Sequence, residues 1–155
     1  MLYLNFVVYA QKEKISNHRF VIGLSAPELL HLGYSYRINN KSQIGVNTGI
    51  GPTLGGVWST VSLEHRLYVG ENDKRINQKT FFLRQGATLF PSARQRQKFS
   101  LNLTVGKDVV FKKKQNGITI DAGVFYLPDS ERSSVGLVKS LNLLPALRFQ
   151  FYCSL

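Results

Sequence analysis

Along most of this chain, apolar and polar residues alternate one by one. Between 57 and 69, Val57, Ser59, Val61, Leu63, His65, Leu67 and Val69 form one set, and Trp58, Thr60, Ser62, Glu64, Arg66 and Tyr68 the other. Further on, Phe99, Leu101, Leu103, Val105 and Val109 oppose Ser100, Asn102, Thr104, Gly106 and Asp108. Ile118, Ile120, Ala122 and Val124 likewise oppose Thr119, Asp121 and Gly123, while Leu30, Leu32, Tyr34, Tyr36 and Ile38 oppose His31, Gly33, Ser35 and Arg37. Successive side chains of a strand point to opposite faces, so a period of two predicts strands with one apolar and one polar side. Turn chemistry falls at Ala26-Pro27-Glu28, Asn39-Asn40-Lys41, Gly51-Pro52-Thr53, Glu71-Asn72-Asp73, Pro91-Ser92-Ala93, Gln115-Asn116-Gly117 and Pro128-Asp129-Ser130. These breaks predict eight strands, near 18–26, 29–38, 42–50, 57–69, 79–90, 97–111, 117–127 and 144–153. No interval carries a convincing helical period, and Ser134 to Leu144 reads as a long loop with a short apolar turn. The expectation is an all-β chain, a closed antiparallel up-and-down barrel in one domain spanning 11–155.

Alternation alone does not say which face is inside. A soluble barrel buries the apolar face, as lipocalins do, and a membrane barrel turns it to lipid. Three features favour the polar face inside. Gly23, Gly33, Gly45, Gly49, Gly86, Gly106 and Gly123 all lie on the polar side, where a narrow lumen needs small residues and a solvated face gains nothing from them. The charges within strands are Arg37, Glu64, Arg66, Arg84, Asp108, Asp121 and Arg148, whereas most lysines sit in turns. Arginine with carboxylate suits enclosed, bidentate pairing, so these seven are the expected lumenal polar network. The fourth and sixth strands exceed the usual length of about five or six residues and suffice for a membrane crossing of ~9–11. Tyr34, Tyr36, Tyr68, Phe90, Tyr126, Phe151 and Tyr152 fall toward strand ends, where an interfacial girdle belongs. Leu63, Leu67, Leu101, Leu103, Val105, Ile118 and Ile120 are then expected to face lipid.

Composition narrows the partners. The formal net charge of +11 suits an anionic surface, whether nucleic acid, lipid head groups or a polyanionic glycolipid. Nucleic-acid recognition needs aromatics interleaved with the basic face, and the clusters Arg94 to Lys98 and Lys112-Lys113-Lys114 lack them. With both termini periplasmic, the lysine run falls in a periplasmic turn and the arginine cluster in an outer loop, each placed to meet lipid phosphates. The stretch MLYLNFVVYA, residues 1–10, is apolar and ends in Val8-Tyr9-Ala10, which reads as a truncated signal peptide. The mature chain would then begin near Gln11.

The segment from Gly23 through Ala26-Pro27-Glu28 to Gly33, followed by Tyr34-Ser35-Tyr36-Arg37, resembles the opening of an uncharacterised barrel family typical of Bacteroidota. Over nearly its whole length the chain resembles the small outer-membrane β-barrel proteins of Gram-negative bacteria, in the style of the OmpA and OmpX barrels. Its end, Leu144-Pro145-Ala146-Leu147-Arg148-Phe149-Gln150-Phe151, looks like the closing strand that the barrel-assembly machinery reads. Phe149, Phe151 and Tyr152 would carry that signal, although Cys153-Ser154-Leu155 continues past the aromatic residues that usually end such strands. The resemblance implies a monomer among outer-membrane lipid and lipopolysaccharide, and says little about activity.

Catalytic and metal chemistry finds few carriers. His18, His31 and His65 have no metal-ligand spacing, and the single Cys153 excludes an internal disulfide. The glycines between Gly45 and Gly56 lack the Lys-Ser/Thr of a phosphate loop. Ser62, His31 and Glu64 allow a hydrolase triad to be drawn, as in enzymes of outer-membrane lipid, but without their local motifs. The expectation is a non-enzymatic, porin-like envelope barrel without cofactor or metal, its lumen filled by side chains. Its rivals are a soluble lipocalin-like carrier and a lipid-modifying enzyme.

Overall fold

A computed structural model describes residues 16–26, 29–53, 56–73, 78–91, 99–111, 116–128 and 143–155. The expected signal peptide at 1–10 lies outside them, as do both basic clusters. Eight strands follow in chain order: β1 (His18–Ala26), β2 (Leu30–Asn39), β3 (Ser42–Thr53), β4 (Gly56–Asp73), β5 (Gln78–Leu89), β6 (Phe99–Val110), β7 (Gly117–Tyr126) and β8 (Leu143–Ser154). Each pairs antiparallel with its chain neighbour, and β1 pairs with β8, so the sheet closes into a barrel. The start of β1, the end of β8 and the strand ends joined by the β2–β3, β4–β5 and β6–β7 connections therefore share one rim, here the terminal rim; the opposite strand ends are the loop rim.

Stagger sets the width. Stepping from His18 through its successive partners Tyr36, Ile44, His65, Gln85, Leu103, Val124 and Pro145 circles the wall. On β8 Leu147 pairs with Ala26 and Pro145 lies two residues before it, so the circuit ends about ten residues along from the start. Eight strands with that stagger tilt by about 40° and enclose a backbone cylinder of roughly 8 Å radius. Such a lumen holds side chains and little else.

Two turn expectations are moved by the structure. Gly51-Pro52-Thr53 belongs to β3, with Pro52 opposite Val57 on β4. The β2 pairing ends at Leu30–Ile50, so Pro52, which has no N–H, sits where β3 has no second neighbour to bond. Pro145 on β8 is placed alike, beyond the last β1 pair at Leu147. Glu71-Asn72-Asp73 is also strand. The register shifts between Val69 and Asn72, and Gly70 at φ 80° forms the bulge that lets β4 run on.

Glycine on the inner wall lets the backbones and side chains of neighbouring strands close in. A Cβ on Gly123 would come within 2.6 Å of Thr104 Cα and closer still to the Leu103 carbonyl oxygen, both backbone atoms of β6. Gly123→Ala should therefore destabilise the barrel by about 1–3 kcal/mol, read as an earlier urea midpoint. Unchanged midpoints would show that β6 and β7 separate freely.

Candidate functional site

The wall sorts side chains by chemistry, apolar outward and charged inward. Leu63 is 63% exposed and Val105 64%, and Leu67, Leu101, Leu103 and Ile120 are also exposed on the outer face, while Ile118 is half-buried there. Inside, Arg84 is 2% exposed, Glu64 3% and Asp121 1%, with Arg37, Arg66, Asp108 and Arg148 buried beside them. Period two delivers this arrangement directly, because every second residue of each strand reaches one lumen.

The lumenal charges form two clusters. In the first, Glu64 Oε1 accepts from Arg84 Nη1 at 2.7 Å and from Arg148 Nη1. Arg84 also donates through Nη2 to Asp121 Oδ1 at 2.8 Å and through Nε to Thr104 Oγ1 at 2.9 Å. One guanidinium thus joins β4, β6 and β7 from its place on β5. The second cluster, nearer the terminal rim, centres on Asp108. Its carboxylate accepts from Arg19 Nη1 at 2.9 Å, Tyr68 Oη at 2.9 Å and Thr119 Oγ1 at 2.7 Å, with Arg37 and Arg66 at 3.9 and 4.0 Å. Arginines stack on rings here: Arg19 over Tyr152 and Arg37 over Tyr68 at 4.4 Å, Arg66 over Phe82 at 5.1 Å.

The expected aromatic girdle divides. Tyr34, Tyr36, Tyr126 and Phe151 point outward, whereas Tyr68, Phe90 and Tyr152 are buried. Tyr68 and Tyr152 have inward parity and serve as stacking surfaces for arginine. Of the expected assembly residues, Phe149 and Phe151 are exposed outside and Tyr152 faces the lumen. Arg19 was not among the expected network, yet its signal was legible, since Phe20, Ile22 and Leu24 outward fix Arg19 inward. Gln43 and Gln150 join the network too. Gln43 Nε2 donates to Ser35 Oγ at 2.8 Å, and Gln150 Oε1 accepts from Arg66 Nη2 at 2.5 Å.

Ser62, His31 and Glu64 are not assembled as a triad. Ser62 Oγ bonds Thr88 Oγ1 at 2.9 Å, and the Glu64 carboxylate is held by two arginines. The hydroxyl beside His31 is Ser25, with Oγ 3.3 Å from Nδ1. Because Gln150 Oε1 accepts from Arg66, its Nε2 faces His31 Nε2 at 2.7 Å and donates to it. The imidazole proton then sits on Nδ1 and points at Ser25, the opposite of what a general base requires.

Above these clusters, toward the loop rim, a cavity of about 20 Å³ is lined by Ser25, Arg84, Thr88, Ser100, Asn102 and Arg148 among others. It is the size of one water molecule. Phe125, Leu127 and Ala146, with Leu144 against them, make a small apolar layer at that end. Among the described residues no three His, Cys, Asp or Glu side chains group as a metal site. No family model, curated protein or solved structure matches the chain.

Proposed function

We propose that this chain is an integral β-barrel of a Gram-negative outer membrane, without enzymatic activity, serving envelope structure or surface contacts through a lumen closed by its own side chains. The observation that carries this reading is the reversal of faces, with leucines and valines exposed all round the wall and arginine–carboxylate pairs enclosed. In water such a continuous apolar surface far exceeds the few hundred Å² that a soluble monomer exposes. In lipid it is the expected exterior, and ten to twelve tilted residues rise about 25–30 Å, enough for the hydrocarbon core.

The interior argues against the rivals. A lipocalin-like carrier needs an apolar cavity, and the described lumen is occupied by ion pairs, glutamines and hydroxyls. A lipid hydrolase of the drawn kind needs Ser62, His31 and Glu64 together, and they bond elsewhere. Outer-membrane lipid and lipopolysaccharide would surround the wall, and Phe149 and Phe151 on the outer side of β8 are the surface offered to the barrel-assembly machinery.

Gel migration tests the placement. The chain extracted from outer-membrane fractions should run as a compact band in cold detergent and shift on boiling. Recovery of folded protein in buffer without detergent would overturn the membrane reading.

A further inference from the structure

Most of the outer wall is apolar, but β3, β4 and β5 carry a short chain of polar side chains across it. Gln85 Nε2 donates to His65 Nδ1 at 3.2 Å, and His65 Nε2 donates to Ser42 Oγ at 2.9 Å. Gln85 is exposed, with His65 as one cross-strand partner and apolar residues on its other sides: Leu103 is the second partner, Leu83 and Ala87 flank it, and Leu67 and Leu63 pair with those two. Thr48 and Lys107, also on the outer face, are accommodated within their own barrel. The Thr48 hydroxyl donates to the Thr60 carbonyl at 3.1 Å, and the Lys107 ammonium lies 4.7 Å over the Phe81 ring. Gln85 differs, because its Oε1 and second amide N–H have no partner among the described residues.

We propose that this face of β5 is the interface with a second copy of the chain in the membrane, centred on Gln85. The proposal rests on the membrane reading above, since only in hydrocarbon does an unsatisfied amide carry a heavy cost. Two copies inserted in the same direction are related by a two-fold axis along the membrane normal. That axis brings equal heights together, so the group at the centre must complement itself. An amide does, each N–H meeting the other copy's Oε1. The surrounding leucines then pack against their equivalents, and Ala87 leaves room for close approach. The monomer expected from the sequence becomes a pair.

The test uses the full chain reconstituted in phosphatidylcholine vesicles with Cys153→Ser as background and a short bismaleimide as cross-linker. Ala87→Cys, beside the axis, should give a product of twice the chain mass, while Ile22→Cys on the opposite wall should not. Gln85→Leu should weaken association about tenfold, the equivalent of two hydrogen bonds between membrane segments. Equal cross-linking from positions 87 and 22, none from 87, a product of another mass, or no response to Gln85→Leu would each overturn the proposal. Each variant is first checked for heat-modifiable migration. A vesicle-embedded chain that never pairs defeats only the dimer, whereas folded chain left in the buffer defeats the membrane reading itself.

Discussion

Glu64→Leu should lower the stability of the folded barrel by about 3–5 kcal/mol, the usual consequence of removing one member of a buried ionic group. Glu64 Oε1 accepts from both Arg84 and Arg148, so its loss leaves two enclosed guanidinium groups facing each other. Asp121 still accepts from Arg84 Nη2 at 2.8 Å after that change, but the carboxylate the two arginines share is gone. A second change supplies the control. Glu64→Leu with Arg148→Leu removes one charge of each sign and should regain much of the loss, since an apolar pair of similar volume often replaces an ion pair at little cost. Urea unfolding in phospholipid vesicles reads both variants. If Glu64→Leu unfolds at the wild-type midpoint, the lumen is wet enough to screen its charges and the network does not hold the barrel together.

The second large effect belongs to the other face. On the membrane reading proposed above, Leu103→Arg should block assembly or cost about 2–4 kcal/mol, as for a cation near the middle of a lipid-facing wall. Leu103 is exposed among Gln85, Leu101 and Val105, with Val124 opposite, and no carboxylate stands beside it there to neutralise a guanidinium. Its chain neighbour Asn102 points inward, half-buried, and its Oδ1 makes no hydrogen bond among the described residues. Asn102→Ala should therefore change the urea midpoint little. The contrast between adjacent positions measures the face assignment itself, and equal tolerance at 102 and 103 would reverse it.

Much of this fold was legible because period two is a local property. Leu101, Leu103 and Val105 outward require Asn102, Thr104 and Gly106 inward, with no knowledge of any other strand. The same parity places Arg84 and Asp121 in one lumen once closure is assumed. Which groups then meet was not legible. Arg84 bonds Glu64 and Asp121 because stagger brings β4, β5 and β7 to one height, and stagger is a sum over every register around the wall. Ser25 rather than Ser62 reaches His31 for a related reason, β1 and β2 pairing directly as far as Gly23 and His31. Turn chemistry misled at Pro52 and at Glu71 to Asp73, where the neighbouring strand's end and a glycine bulge let the strand continue. Tyr68 and Tyr152 misled by position, since strand-end aromatics suggest a membrane rim, while their parity, the stronger signal, turns them inward.

The β1–β8 seam has a consequence for how the molecule comes into being. Seven of the eight seams join chain neighbours, so each can form as a local hairpin. The eighth joins Arg19 to Ser154, almost the full described length apart. Its loop-closure entropy is the largest in the chain, and contacts so distant in sequence form slowly. Until Ser154 arrives, β1 waits with a bare row of amides and carbonyls, a template for any passing strand. The hazard in the life of this protein is thus its unfinished state, and the pairing of β8 with β1 is what ends it.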